Sequence, residues 1–186
     1  MPGVSVPVLP PPVRLLAGLL FRDDEAGRGA ASEAETSLVE RFGPVDARSG
    51  LVPFAWTGYY EKEMGGPLLR QWISFAAPVP RGILAEAKLL TNAIEARLAG
   101  PDGRRTVNID PGLITLENLV LASGKNFTHR IYLDCGIFAE VTLIYQNRRF
   151  NPLPWTYPDY ADPEAVAFFT RLRQTLLPRT VGGVAA

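Results

Sequence analysis

The first apolar run of the chain, Val13 to Phe21 (VRLLAGLLF), is interrupted only by Arg14 and predicts a buried opening strand. After a DDEAGRGAAS loop, Ala31, Ala34, Leu38 and Phe42 recur at helical spacing, and Gly43-Pro44 stops that helix. A strand region near 45–56 follows, then a strand over 67–77 (PLLRQWISFAA), with TGYYEKEMGG as a connecting loop between them. Pro80 opens the second helix, whose apolar stripe is Ile83, Ala87, Leu90, Ile94 and Leu98 and whose stop is Gly100-Pro101. RRTVNI predicts a short strand. Asp110-Pro111-Gly112 predicts a turn into a short helix over about 115–123. A hairpin over 128–133 and 137–146, a returning strand at 149–151 and a proline-pinned loop (NPLPWTYPDY) come next. Asp162 caps and Pro163 starts a last helix that turns Val166, Phe169, Leu172 and Leu176 inward.

The order through residue 110 is β-α-β-β-α-β. It predicts an α+β fold, a ferredoxin-like antiparallel sandwich with two helices on one sheet face, extended by the C-terminal hairpin and helix. The proline-rich residues 1–12 (MPGVSVPVLPPP) are expected to be a disordered tail, residues 13–178 a single domain, and residues 179–186 a second disordered tail.

Hydrophobic matching fixes a register for the hairpin, because a slip of one residue turns every side chain to the other face. Ala139, Val141, Leu143 and Tyr145 form one apolar face, and Ile131 and Leu133 match it. Ile131 then pairs with Ala139, Arg130 faces Glu140, and His129 points to the opposite face. The loop is Asp134-Cys135-Gly136, with Gly136 at the left-handed position.

Nineteen basic residues balance nineteen acidic ones. That balance argues against a dedicated nucleic-acid binder, which neutralises phosphates with a basic surface. No apolar run is long enough for a membrane span, and no signal peptide is read from the first residues. One cysteine and one histidine are too few for a zinc site, and the lone cysteine suits a reducing cytoplasm. Sixteen of the basic residues are arginine and only Lys62, Lys88 and Lys125 are lysine, so each lysine is either a chance survivor of that bias or a position where a compact ammonium is required.

The chemistry-bearing residues concentrate between Asn108 and Tyr145. Asn108 and Asp110 end a strand, Lys125 precedes the hairpin, and His129, Arg130 and Glu140 lie within it. Asp110 is either a turn cap or an acid at a strand's end; Arg130 and Glu140 are either an ordinary cross-strand ion pair or an anion site. Glu61-Lys62-Glu63 follow the aromatic pair Tyr59-Tyr60. Tyr157 and Asp159 sit in the aromatic loop, as a lid on the core or as a stacking platform. Ser123-Gly124-Lys125-Asn126 is not a phosphate loop, since Leu119 stands where the first glycine belongs and Asn126 replaces the hydroxyl residue.

GLLFRDD, ERFGPVD, YYEKEMG, NIDPG, THRIYL, GIFAEVTLIY and PLPWTYPDY, in this order, resemble the prokaryotic domain-of-unknown-function family 4416 over about residues 13–177. The resemblance implies a small cytoplasmic protein without an assigned activity; some members are loosely labelled GTP-binding.

Two functions stay open. In one, a small anionic, phosphorylated or nucleotide-like ligand is bound or transformed, with Lys125, Arg130, Asn108, Lys62, Tyr157 and Asp159 as binding residues and Asp110, Glu140 and His129 as acid–base groups. In the other, the chain is a non-catalytic protein-interaction module. No cofactor, metal site or oligomeric state is read from the residues.

Overall fold

The computed structural model describes residues 4–177; the expectations for residues 1–3 and 178–186 fall outside them. Residues 4–12 are exposed and without regular structure. The described elements are β1 (Val13–Arg22), α1 (Glu25–Phe42), β2 (Val45–Arg48), β3 (Val52–Phe54), α2 (Tyr59–Met64), β4 (Leu68–Val79), α3 (Leu84–Arg97), β5 (Val107–Ile114), β6 (Asn118–Ser123), β7 (Ile131–Asp134), β8 (Ile137–Gln146), β9 (Arg149–Pro152) and α4 (Pro163–Gln174). The fold is thus α+β. Its strands form one open, mostly antiparallel sheet of order β2-β4-β1-β5-β6-β8-β7, with β3 also on β4 and β9 on β8.

The central strand β1 explains the layering. Side chains alternate across a strand, so Val13, Leu15, Ala17, Leu19 and Phe21 face one way, into a core closed by α1 and α3. Leu16 faces the other way, into a second core with Trp72, Tyr160, Phe168 and Phe169 that α4 closes. Leu20, on that same side, packs with Phe54, Met64 and Leu68 beneath α2. Helix α1 buries Gly27, Ala31, Ala34, Leu38 and Phe42, and Asp24 caps it by accepting the Gly27 N–H at 2.8 Å. Asp162 caps α4 in the same manner, ahead of Pro163.

Five expectations are corrected. The DDEAGRGAAS stretch is not a loop beyond Asp24, because Glu25–Ser32 already form the first turns of α1. Residues 118–123 are a strand, not part of a helix: apolar positions 119, 120 and 121 serve β6 by pairing with β8 on one side, while Leu119–Leu121 pair with β5 on the other. Asp110-Pro111-Gly112 is no turn but the middle of β5, with Pro111 opposite Ala17 of β1. The TGYYEKEMGG connection folds its centre into α2, so Lys62 lies on a helix. The strand region near 45–56 divides into β2 and β3, both paired with β4.

The hairpin register holds, with Ile131 opposite Ala139 and Tyr132 opposite Phe138. Its loop is shorter than expected. Asp134 pairs with Ile137, leaving Cys135 and Gly136, both at positive φ (49° and 77°), as a two-residue turn of the type that matches strand twist. The register shift between Tyr132 and Asp134 absorbs the extra residue as a bulge.

Candidate functional site

The sheet splits inside β5. From Gly112 to Ile114 this strand pairs with both β1 and β6, whereas Val107 to Pro111 pair with β1 alone. The physical cause is on the strand itself. Ile109 turns its N–H and C=O away from β1, and alternation turns Pro111 to the same side, where it has no N–H to give. Helix α3 satisfies the open edge: Glu95 Oε1 accepts the Ile109 N–H at 2.8 Å and Lys88 Nζ donates to the Ile109 carbonyl at 2.9 Å. Lys88 and Glu95 are 3.8 Å apart and both are buried. Burial raises the Glu95 carboxyl pKa above its ordinary value, against the opposing pull of Lys88.

A cleft opens where β6 parts from β5. One cavity, of about 280 Å3, is lined by Asn108 and Asp110 from β5, Ser123 and Lys125 from the end of β6, Arg130 and Glu140 from the hairpin, Lys88 and Glu95 from α3, and Tyr157. A second, of about 450 Å3, is lined by Phe54, Trp56, Arg70, Asp159 and Tyr160. The two share Tyr59, Tyr60, Asp110, Lys125 and Tyr157.

On the first strand wall, Asn108 and Asp110 stand two residues apart and so on one face. Asn108 Nδ2 donates to Asp110 Oδ2 at 2.9 Å. Arg70 reaches the same oxygen from β4, at 3.1 Å through Nη1, and donates from Nε to Asp159 Oδ2 at 2.9 Å. Its guanidinium lies between the rings of Phe54 and Tyr160, with centroid distances of 5.5 and 5.8 Å. Burial opposes the Arg70 charge, but Asp159 and Asp110 outweigh it and hold its pKa above the ordinary value. Burial raises the Asp159 pKa in turn. Arg105 grips Glu63 through two bonds, at 2.8 and 2.5 Å, and Asn108 Oδ1 at 2.6 Å. These bonds hold the Glu63 carboxyl below its usual range.

On the opposite wall, Arg130 is the hub. Its Nε donates to Glu140 Oε2 at 2.8 Å, Nη1 to the Lys125 carbonyl at 2.8 Å, and Nη2 to the Tyr157 hydroxyl at 2.9 Å. Burial raises the Tyr157 pKa, so the hydroxyl stays protonated at neutral pH. The Lys125 ammonium lies over the Tyr59 ring, 5.5 Å from its centroid, and makes no ion pair among the described residues.

His129 departs from its expected direction. Residues 127–130 form a turn, closed by the Arg130 N–H on the Phe127 carbonyl at 3.1 Å, so strand alternation does not apply there. The imidazole Nε2 instead meets Glu140 Oε2 at 3.1 Å, and the ring stacks on Trp155 at 4.7 Å and 6°.

Asp110, Lys125, Arg130, Glu140, Asn108 and Tyr157 therefore line the first cavity, and Asp159 the second. His129 stands behind Glu140. Lys62 is exposed and lines neither cavity. The sequence reading missed Arg70, Lys88, Glu95, Arg105, Tyr59 and Tyr60. A signal existed for Arg70, a lone charge inside the apolar run PLLRQWISFAA, and for Lys88 and Glu95, which sit seven residues apart and so near one face of α3. Among the described residues, no three His, Cys, Asp or Glu side chains converge as metal ligands, and no helix is long and apolar enough to cross a membrane.

No curated protein and no solved structure matches the chain. One family model does, over residues 11–176, a span that includes every strand, every helix and both cavity walls described above. The chain belongs to the family described as Domain of unknown function (DUF4416).

Proposed function

We propose that the cleft binds a small phosphorylated or nucleotide-like ligand. The observation that carries this reading is the convergence of Asp110, Lys125, Arg130, Glu140 and Tyr157 on one cavity. Lys125 is the cation left over for an anionic group, because Arg130 is already committed to Glu140 and Arg70 to its two aspartates. The aromatic side chains Trp56, Tyr59 and Tyr157 provide a wall for a planar ring.

The test is a thermal-shift panel of phosphate esters and nucleotides on the wild-type chain and on Lys125→Ala. A probe at a hundred times its Kd adds about 2.7 kcal/mol of stability. Lys125 is exposed, so its removal should leave the unliganded midpoint unchanged and reduce the ligand response. A panel without any responder, or an equal response in the variant, overturns the reading.

The frame around the cleft is read as ferredoxin-like over residues 13–110. Strand order β2-β4-β1-β5, with α1 and α3 on one face, supports this. One sheet continuous from β2 to β7 supports a single domain, and the exposed free Cys135 suits a reducing cytoplasm.

A specific observation favours the interaction-module alternative. Strand β7 is a sheet edge, and Ile131, Tyr132 and Leu133 are exposed along it. On this alternative, Tyr132→Lys abolishes partner binding while phosphate-ester binding stays absent in wild type and variant alike.

A further inference from the structure

We infer, building on the reading of the cleft as a site for a phosphorylated ligand, that Glu140 accepts a hydroxyl of that ligand, which makes the ligand a hydroxylated phosphate ester of the sugar-phosphate class. Glu140 is only 2% exposed and lines the cavity. Its two carboxylate oxygens are used unequally. Oε2 is engaged twice, by Arg130 Nε at 2.8 Å and by His129 Nε2 at 3.1 Å. Oε1 is buried and has no hydrogen-bond donor among the described residues. A buried acceptor left without a donor is costly, and more so when it is charged. Because Glu140 lines the cavity, a ligand seated there is the group placed to donate to this oxygen.

The class of donor follows from the charge around it. Arg130 already neutralises this carboxylate, so a second full positive charge would be placed against the guanidinium. A neutral O–H is not repelled. The opposite wall repeats the arrangement. Among the described residues Asp110 is tied through Oδ2 alone, to Arg70 at 3.1 Å and to Asn108 at 2.9 Å, and it lines the same cavity while staying 23% exposed. Two carboxylates, each anchored at one oxygen by arginine and each with the other oxygen free, suit a ligand that offers more than one hydroxyl. Lys125, which makes no ion pair among the described residues, takes the phosphate.

Isothermal titration of the intact chain with ribose 5-phosphate, 2-deoxyribose 5-phosphate and ethyl phosphate tests this. A site built to receive a hydroxyl discriminates strongly against an analogue lacking it. Ribose 5-phosphate should therefore bind about tenfold or more tighter than ethyl phosphate, with the deoxy sugar no tighter than ribose 5-phosphate. In Glu140→Gln the charge-assisted acceptor is gone, and the ratio of ribose 5-phosphate to ethyl phosphate affinity should fall towards one. If the variant does not fold, the wild-type series alone decides. Equal binding of ribose 5-phosphate and ethyl phosphate, or a preference that survives Glu140→Gln, overturns the inference and leaves the phosphate reading standing. Failure of all three probes to bind at millimolar concentration overturns the inference, and if the nucleotides of the thermal-shift panel are silent as well, the reading of the cleft falls with it.

Discussion

Arg70 donates from Nε to Asp159 Oδ2 at 2.9 Å, and both side chains are about nineteen-twentieths buried (4% and 5% exposed). This one contact pins the loop before α4 to the start of β4. It also shapes the second cavity, because Asp159 and the neighbouring Tyr160 line it beside Arg70. Breaking a buried pair from one side strands a charge, at a cost of about 3–5 kcal/mol. Arg70→Met should therefore lower unfolding free energy by that amount in urea at pH 7. A loss under about 1 kcal/mol, the scale of an exposed pair, would show that the contact is not buried in solution.

Asp159 also gives a pH signature. Burial raises its folded-state pKa above the ordinary 3.8, so the folded chain binds more protons at this group than the unfolded chain does. Its contribution is fully present below pH 3.8 and is lost as pH rises through the raised folded value. Glu95, raised by burial from 4.5, contributes with the same sign. Asp159→Asn removes the first of these contributions. The wild-type advantage over Asp159→Asn, read from urea midpoints, should shrink as pH rises from 4 towards neutrality. An advantage that grows with pH would put the Asp159 pKa below 3.8.

Gly112 stands at the point where the sheet divides. A β-carbon there would lie 2.7 Å from Leu121 Cδ2 and 2.9 Å from the Val120 carbonyl oxygen. The leucine can rotate but the carbonyl belongs to the paired strand, so Gly112→Ala must push β6 away from β5. Overpacking of this kind costs about 1–3 kcal/mol. The variant should unfold correspondingly earlier and lose amide-exchange protection at Leu113 and Val120. Unchanged protection would mean that β6 yields without strain.

The apolar stripe of α3 is uneven in depth. Ile94 is 4% exposed in the core under α1 and α3, whereas Leu90 is half-buried at its border. Ile94→Ala should cost about 2–5 kcal/mol, and Leu90→Ala distinctly less. Equal midpoint shifts in thermal unfolding would show the helix rotated from this position.

Local pattern alone carried much of this fold. The run at Val13–Phe21 gave β1, the spacing of Ala31, Ala34, Leu38 and Phe42 gave the later turns of α1, and Asp162-Pro163 gave the start of α4. Matching Ile131 to Ala139 fixed the hairpin and brought Arg130 to Glu140. These features are legible because side-chain period and capping chemistry act over a few residues. The sequence reading also placed Asp110, Lys125, Arg130 and Glu140 together, but through a helix over 115–123 that the protein replaces with the β5–β6 hairpin. The apolar residues Leu119, Val120 and Leu121 fit either element, and only the pairing of β6 with β5 and β8 decides between them. Tertiary structure alone also turned His129 onto Glu140, since a turn has no fixed alternation. It likewise chose the partners of Arg70, 89 residues from Asp159, and of Ile109, whose open edge Lys88 and Glu95 close from a helix. Periodicity tells a side chain which face it occupies; which distant group meets it there depends on the packing of the whole sheet, because the energy of that meeting exists only once both surfaces leave water.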